Sequence, residues 1–317
     1  MNHPPELEDI RQAARRIAPH LHRTPVMTCR GLDELCGARL FFKCENLQKA
    51  GAFKARGAHN AVFLLSQEQA ARGVATHSSG NHAAALALAA SRRGIPAHIV
   101  MPRDAPKAKQ AAVAGYGGRI RLCEPTLAAR EETLQQVLAE TGAELVHPYD
   151  DYRVIAGQGT AALELLEQVP ELDMVLAPVG GGGLLSGTAI AVKGLAPGCR
   201  VVGCEPAAAD DAYRSLQAGS IQDQPPPRTV ADGLKTMLSQ RTFAIIQEKV
   251  DGIVTVSEQG IVSAMRLIWE RMKLVVEPSG AVPLAVLLEG GLPVRGQRVG
   301  IIISGGNLDL DRLPWQT

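Results

Sequence analysis

The sequence has almost no net charge and no block of five or six like charges. Its 33 Lys and Arg residues are balanced by 32 Asp and Glu residues, which leaves a formal charge of +1 at pH 7. Proteins that bind nucleic acids or anionic membrane surfaces do so through clustered positive charge. We therefore expect no nucleic acid and no membrane as a partner, and we expect a small-molecule ligand.

The six cysteines form neither a C-x-x-C pair nor the paired Cys/His spacing of a metal site. They stand at positions 29, 36, 44, 123, 199 and 204. Buried, reduced thiols are the simplest interpretation, and they agree with a reducing cytosol. Residues 1–5 also lack a basic segment followed by an apolar one, so we expect no signal peptide and a cytoplasmic location.

One uncharged segment is long enough to be compared with a membrane span. It covers the nineteen residues from Met174 to Val192, close to the length that crosses a bilayer. However, it contains Pro178 and four consecutive glycines at 180–183, which are typical of a turn. A buried strand, a turn and a helix are therefore the better interpretation.

Strand-like apolar runs alternate with helical patterns along most of the chain. Strands are predicted at residues 40–45, 73–77, 94–102, 119–123, 145–147, 174–179, 201–204 and 299–303. Helices are predicted at residues 6–18, 58–65, 83–91, 106–114, 127–141, 154–169, 184–195, 259–272 and 282–288. The alternation predicts an α/β protein with mostly parallel sheets flanked by helices. At 317 residues, the chain should form one large or two medium domains.

Lys54 lies in a turn, residues 51–58, that follows a predicted strand. A lysine amine that loses its proton can form an imine with an aldehyde cofactor, and burial among apolar neighbours favours that loss. Most lysines are solvated surface residues, so Lys54 alone does not decide the matter. Three other polar or glycine-rich turns also follow apolar runs, at residues 78–82, 180–183 and 304–307.

The four glycines at 180–183 follow a predicted strand and open a predicted helix. Their amides and the helix N-terminus would form a concave anion site suited to a phosphate, and a tight turn without a ligand is the alternative. A dinucleotide site is disfavoured, because the G-x-G-x-x-G pattern fails at Leu185 and at Ser186. A G-x-x-x-x-G-K-[ST] motif is also missing from the sequence. A single phosphate is therefore the better fit.

Two further segments carry polar groups with more than one interpretation. Residues 78–82, Ser-Ser-Gly-Asn-His, can cap a helix or hold a ligand carboxylate, and Ser304 can belong to a plain turn or approach a ring. Residues 205–211 contain three carboxylates. They form either a solvated acidic loop or an oxygen-ligand site for magnesium or calcium.

Taken together, these motifs resemble the pyridoxal-phosphate enzymes of the tryptophan-synthase-β fold (fold type II), and within them the serine racemases and serine/threonine dehydratases. The likeness extends from residue 23 to residue 307. Its motifs, in family order, are Lys43-x-Glu45-x-x-Gln48, Gly51-x-Phe53-Lys54-x-Arg56-Gly57-Ala58, Ser78 to His82, Ala156 to Thr160, Val179 to Gly183, Ala231-Asp232-Gly233 and Ser304 to Asn307. The resemblance also implies a homodimer.

The resemblance implies two domains, a discontinuous large cofactor-binding domain and a small mobile substrate domain. The large domain would comprise residues 1–67 and 151–317, and the small domain residues 68–150. Pyridoxal 5'-phosphate would be bound covalently by Lys54. The other implied cofactor contacts are Phe53 stacking on the ring, Asn81 at the 3-hydroxyl, Gly180, Gly181, Gly182, Gly183 and Leu184 at the phosphate, Gly233 nearby, and Ser304 at the pyridine nitrogen.

The same resemblance implies substrate and metal sites. The substrate carboxylate would be bound by Ser78, Ser79, Asn81 and His82. Lys54 and Ser79 would be the catalytic residues, with Ser79 as the proton carrier on the face of the substrate opposite Lys54. Glu205, the carbonyl of Ala209, and Asp211 match the divalent-cation loop of the racemase branch, which implies Mg²⁺ or else Ca²⁺ or Mn²⁺.

The implied activity is the dehydration of a β-hydroxy amino acid such as L-serine or L-threonine to a 2-oxo acid and ammonia. A hydroxyl at the pyridine nitrogen, in place of a carboxylate, weakens the ring as an electron sink and favours elimination. Ser79 and the metal loop favour the racemase branch, whereas Ala52 and residues 148–151 favour the dehydratases. Serine racemase, a dehydratase of 3-hydroxyaspartate or of another bulkier β-hydroxy amino acid, a β-replacement synthase and a non-catalytic sensor are the alternatives.

Overall fold

A computed structural model describes Met1 and residues 3–316. The helices are α1 (Leu7–Ile17), α2 (Arg30–Cys36), α3 (Lys54–Phe63), α4 (Gln67–Arg72), α5 (Asn81–Arg93), α6 (Lys107–Gly115), α7 (Leu127–Thr141), α8 (Tyr152–Gln168), α9 (Gly183–Leu195), α10 (Asp211–Ala218), α11 (Gln240–Lys249), α12 (Glu258–Leu267) and α13 (Pro278–Leu288). The strands are β1 (Val26–Met27), β2 (Arg39–Cys44), β3 (Val74–His77), β4 (Ala97–Pro102), β5 (Arg119–Cys123), β6 (Glu144–Leu145), β7 (Met174–Pro178), β8 (Arg200–Pro206), β9 (Gly252–Val256) and β10 (Arg298–Ile303). A π-helical turn, Ile268–Met272, continues α12.

The larger sheet has the strand order β1-β2-β10-β7-β8-β9 within the described residues. Strand β1 runs antiparallel to β2, and the other neighbouring pairs are parallel. Helices cover both faces, because these strands are apolar on both sides. Helices α1, α8, α9 and α11 pack on one face and α2, α12 and α13 on the other.

The smaller sheet has the order β5-β4-β3-β6, and its described strand pairs are all parallel. One face packs against the alanine-rich helix α5 and against α3, whereas Leu134 and Val137 of α7 pack on the other face. The small side chains of α5 allow it to lie between the sheet and α3. The two sheets together confirm the predicted α/β fold with mostly parallel strands.

All strands of the smaller sheet lie within residues 74–145, and the strands of the larger sheet lie outside that range. This arrangement is compatible with the predicted domains, whose boundaries at 67/68 and 150/151 stay a prediction. The segment 174–192 forms β7, the glycine turn and most of α9, as predicted. Among the described residues, no helix combines the length and the hydropathy that crossing a bilayer requires.

The structure corrects several predicted boundaries. Helix α3 begins at Lys54 and not at residue 58, and the strand predicted at 94–102 begins at Ala97, because Gly94 ends α5 in a left-handed conformation. The helix predicted at 259–272 becomes π-helical after Leu267. All six cysteines are free, but Cys29 and Cys36 are only partly buried.

Candidate active site

Each of the four predicted turns follows the carboxyl end of a strand. In each sheet, the parallel strands have their carboxyl ends on the same side. In the larger sheet, β10 ends just before Ser304 and β7 ends just before the glycine loop. In the smaller sheet, β3 ends at His77, and residues 78–80 then lead into α5. Ligands of parallel sheets bind at the carboxyl ends of the strands. The structure therefore places the predicted site residues where such a ligand site is expected.

Lys54 is the first residue of α3, and its side chain is partly buried. The Lys54 Nζ donates a hydrogen bond to the Pro148 carbonyl at 2.9 Å and lies 5.0 Å from the centre of the Phe53 ring. Burial lowers the pKa of Lys54 to about 8, and the nearby charge of Glu277 opposes this decrease. The amine therefore loses its proton more easily than an ordinary lysine, as a nucleophile or base requires.

A buried ion-pair network fixes the start of α3. The Arg56 guanidinium bonds both carboxylate oxygens of Glu45, at 2.7 and 2.8 Å, and both of Glu164, at 2.8 and 2.9 Å. Lys43, which is fully buried, bonds Glu164 at 2.6 Å. Because Arg56 is two residues from Lys54, these paired charges anchor the lysine turn to β2 and α8.

Ser304 supplies an unused polar group beside the lysine. Its side chain is 2% exposed, and its Oγ has no hydrogen-bond partner among the described residues. Its carbonyl accepts a hydrogen bond from the Phe53 N–H at 2.9 Å, which ties the lysine turn to the end of β10. A buried hydroxyl without a partner is costly unless a ligand bonds to it. The predicted contact with a ring nitrogen would satisfy this hydroxyl.

The glycine loop is fully buried, and packing requires several of its glycines. A Cβ at Gly181 would lie 2.4 Å from the Tyr149 ring, and one at Gly180 would lie 2.9 Å from Leu234. Gly182 has a φ of +86°. Packing alone thus accounts for these glycines, so their presence is not in itself evidence for a phosphate. The first N–H groups of α9 nevertheless have no acceptor within the helix, and a buried phosphate would satisfy them.

The N–H groups at the start of α5 likewise have no acceptor within the helix and can bind a carboxylate. The side chain of His82 cannot. The Ser78 Oγ accepts from the Gly80 N–H at 3.4 Å, and the His82 Nε2 lies 3.0 Å from the Val146 carbonyl. Burial lowers the pKa of His82 to about 3. A neutral imidazole that donates to Val146 is no cation for a carboxylate. The groups left for a carboxylate are therefore the partly buried Ser79 and the backbone N–H groups of Asn81 and His82.

Glu277 is a buried residue of this site that the sequence did not single out. The Asn81 Nδ2 donates to its Oε1 at 3.0 Å and to its Oε2 at 3.1 Å. The Asn307 Nδ2 donates to the Asn81 Oδ1 at 3.0 Å. A glutamate after the apolar residues 274–276 and before Pro278 is the signal that could have identified it, because a carboxylate is favoured next to a helix N-terminus.

Gly233 lies behind the glycine loop. Its N–H donates to the Ser279 Oγ at 3.1 Å, and a Cβ at this position would lie 3.0 Å from that oxygen. The next residue, Leu234, is the neighbour of Gly180. Gly233 is therefore placed to support the loop from outside, and its contact with a cofactor stays a prediction.

Glu205 and Asp211 of the acidic segment are buried, so its interpretation as a solvated loop is wrong for these two carboxylates, whereas Asp210 is partly exposed and pairs with Arg214 at 2.8 Å. Glu205, at the end of β8, is 0% exposed and accepts hydrogen bonds from the Ala212 and Tyr213 N–H groups at 3.1 and 2.8 Å. Burial raises the pKa of Glu205 to about 9 and that of Asp211 to about 6. The Asp211 Oδ1 is buried and has no partner among the described residues.

These two carboxylates, with the carbonyl of the buried Ala209 between them in sequence, fit a hard cation. No group of three or more His, Cys, Asp and Glu side chains with metal-binding geometry occurs in the described part of the chain. The site would therefore depend on the backbone carbonyl and on water as additional ligands. The unpartnered Asp211 oxygen is the observation that supports a cation here.

A cationic side chain approaches the substrate turn from α7. Arg130 is partly buried, and its Nε is buried without a hydrogen-bond partner among residues 3–316. Burial lowers the pKa of His77, the charge of Glu131 opposes this decrease, and the charge of Arg130 contributes to it to a smaller extent. Since His77 directly precedes Ser78, a guanidinium with free hydrogen-bonding capacity lies close to the predicted carboxylate turn.

Comparisons with known proteins agree with this geometry. A family model described as "Pyridoxal-phosphate dependent enzyme" matches residues 17–305. A β-hydroxyaspartate dehydratase from Paracoccus denitrificans is 56% identical over 311 residues, 98% of this chain and 99% of that protein. The crystal structure of serine racemase from Dictyostelium discoideum superposes with a TM-score of 0.93 at 50% identity, covering 96% of this chain and 99% of that one. The crystal structure of a threonine deaminase from T.th. superposes with a TM-score of 0.92 at 51% identity, covering 97% of this chain and 100% of that one.

Proposed function

The chain belongs to the family of pyridoxal-phosphate-dependent enzymes, and we propose that it dehydrates β-hydroxy amino acids to a 2-oxo acid and ammonia. Two observations together carry the proposal. The pKa of Lys54 is lowered to about 8, and the buried hydroxyl of Ser304, at the end of β10, has no hydrogen-bond partner among the described residues. The serine racemase and threonine deaminase similarities support the same class of substrate.

The residues present fit the cofactor. Ser304 would bond the ring nitrogen, Asn81 the 3-hydroxyl, the loop from Gly180 to Leu184 the phosphate, and Phe53 would lie against the ring. When bound, the cofactor withdraws electrons from the substrate Cα and thereby acidifies its proton. A serine hydroxyl transfers a proton to the ring nitrogen less readily than a carboxylic acid does. The ring is then a weaker electron sink, which favours rapid loss of a leaving group from the substrate.

The chain's own residues perform the remaining steps. The N–H groups at the start of α5, with Ser79, bind the substrate carboxylate and hold the Cα–H bond toward Lys54. The Lys54 amine accepts the Cα proton and passes it to the β-hydroxyl, which leaves as water while the electron pair of the broken C–H bond forms the Cα=Cβ double bond. The released unsaturated amine hydrolyses to the 2-oxo acid and ammonia. Racemisation would require a proton carrier on the opposite face, for which Ser79 is the candidate.

Arg130 favours 3-hydroxyaspartate as a second candidate substrate. A side-chain carboxylate on the substrate needs a cationic partner in a partly buried site, and a guanidinium can bind a carboxylate through two hydrogen bonds. The unpartnered Nε of Arg130 near His77 meets that need. The similarity to a β-hydroxyaspartate dehydratase points to the same substrate.

The test is a substrate panel with L-serine, D-serine, L-threonine and the 3-hydroxyaspartate stereoisomers, measured by 2-oxo acid release and by chiral chromatography. Arg130→Met should raise KM for 3-hydroxyaspartate at least about tenfold and leave KM for L-serine within about twofold. Arg119→Met, on the exposed end of β5, is the matched control. Equal effects on both substrates would contradict the assignment of Arg130, and turnover of no β-hydroxy amino acid would contradict the proposed function.

We further propose Mg²⁺ at Glu205, Ala209 and Asp211, a homodimer, and a cytoplasmic location. The large apolar side chains of Leu47 and Val275 are exposed. Their segments lie side by side, because the Asn46 side chain donates to the Val275 carbonyl at 3.0 Å, and this apolar surface supports a subunit interface. The free cysteines agree with the cytoplasm. Light scattering of the purified protein tests the dimer, and a monomer at micromolar concentration would contradict it.

A further inference from the structure

Glu277 is a buried carboxylate for which the proposed mechanism has so far assigned no role. It is 3% exposed and precedes the first residue of α13. The end of β10 passes so close that a Cβ at Gly305 would lie 2.6 Å from its Oε1. Glu277 therefore lies against Gly305, the residue that follows Ser304.

The hydrogen bonds of Glu277 fix the orientation of the Asn81 amide. Both carboxylate oxygens accept from the Asn81 Nδ2, while the Asn81 Oδ1 accepts from Asn307. Asn307 is held in turn by the Ala50 carbonyl at 2.7 Å. An amide between a carboxylate and a fixed donor has one favourable orientation, with its nitrogen toward Glu277.

Glu277 also acts on Lys54 through its charge. The charged groups that face Glu277 are Lys54 from α3, Lys109 from α6 and Asp232 from the 232–234 turn. Burial raises the pKa of Glu277 to about 7 and Asp232 adds to this rise, whereas Asn81 and Lys109 oppose it. On the side of Lys54, the imidazoles of His82 and His147 lie within range of its charge, and burial holds both of them neutral at pH 7.

We propose that Glu277 is a positioning residue, which orients the Asn81 amide toward the cofactor and supplies the negative charge that stabilises the protonated Lys54 nitrogen. The inference rests on the proposed function, because it assigns a role within the same reaction. When the Cα proton moves to the Lys54 amine, the new ammonium gains an anionic neighbour in a poorly solvated site. The electron pair of the broken C–H bond stays on the substrate.

The test is Glu277→Gln in the full-length holoenzyme, because glutamine keeps the shape and one acceptor oxygen but removes the charge. We expect the pH midpoint of the visible cofactor band to fall by about one pH unit, the size typical of one lost opposite charge. We also expect cofactor affinity to fall about tenfold, because the Asn81 amide keeps only one of its two acceptors on this side chain and faces an NH₂ group in place of the other. Glu289→Gln, at the exposed other end of α13, is the matched control and should change neither quantity.

An unchanged midpoint in Glu277→Gln would overturn the inference while leaving the proposed function intact. A wild-type protein that shows no visible cofactor band would overturn both. If the glutamine variant does not fold or retain cofactor, Glu277→Asp decides, because aspartate keeps the charge. A midpoint within about 0.3 units of wild type in Glu277→Asp would then support the inference, and a shift to lower pH would overturn it.

Discussion

The lowered pKa of Lys54 makes the cofactor-free protein less stable than it would be with an apolar residue at this position. The unfolded chain holds the lysine proton up to pH 10.5, whereas the folded chain releases it near pH 8. Below pH 8, the folded protein therefore carries an ammonium in an unfavourable environment. Stability should rise with pH between these two values, because the unfolded state binds more protons there.

The size of this effect follows from the difference between the two pKa values. A full difference from 10.5 to about 8 corresponds to about 3 kcal/mol at pH 7. Since the Lys54 side chain is only partly buried, water screens some of the penalty, and we expect about 2 kcal/mol. At pH 9.5 less than half of this destabilisation remains, because Lys54 has lost its proton in most of the folded molecules.

The perturbation is Lys54→Met, which keeps the side-chain length and removes the charge. Urea unfolding of the cofactor-free, full-length protein should show the variant about 2 kcal/mol more stable than wild type at pH 7 and about 1 kcal/mol more stable at pH 9.5. Lys235→Met, at an exposed position, should change stability by no more than about 0.5 kcal/mol at either pH. A variant that is no more stable at pH 7, or whose gain is equal at both pH values, would refute the reasoning.

Three further predictions concern the metal, the second face of the substrate and the buried ion pairs. Saturating Mg²⁺ should raise the melting temperature by about 4 °C over EDTA, and Glu205→Ala should abolish this difference, whereas an unchanged difference would contradict a cation there. Ser79→Ala should abolish racemisation of L-serine and retain deamination, as followed by chiral chromatography beside 2-oxo acid release; equal loss of both would contradict a proton-carrier role. Arg56→Ala should destabilise by about 3 kcal/mol or more in chemical unfolding, because Glu45 and Glu164 lose their buried partner; a loss below about 1 kcal/mol would contradict that account.

The sequence was sufficient where local patterns decide the structure. Uniformly apolar strands followed by glycine or serine turns predicted β7, β10 and the ligand-facing ends of the sheets. Helix α3 was placed too late, because only Phe53 separates the extended Ala52 from the helix, and Phe53 already has the helical backbone conformation. Strand β9 and helices α10 and α11 were missed, because their short, mixed segments depend on packing: β9 against β8, α11 against α9, and α10 against β9 and α11.

Contacts between distant segments could not be derived from the sequence. Asn81 and Glu277 are 196 residues apart, and their hydrogen bonds depend on how the two sheets come together. The acidic segment shows the same limit, because solvated and buried carboxylates look alike in a sequence. Its burial follows from α10, which begins at Asp211 and turns its first N–H groups toward Glu205.

The central claim is that Lys54 binds the cofactor covalently and is the base of the reaction. The most direct measurement reduces the purified holoenzyme with borohydride, digests it, and locates the added pyridoxyl mass on a peptide by mass spectrometry. We predict loss of the visible band on reduction and a single modified peptide, in which the mass lies on Lys54. Modification of a different lysine, or a Lys54→Ala protein that keeps both the reducible band and full turnover, would contradict the claim.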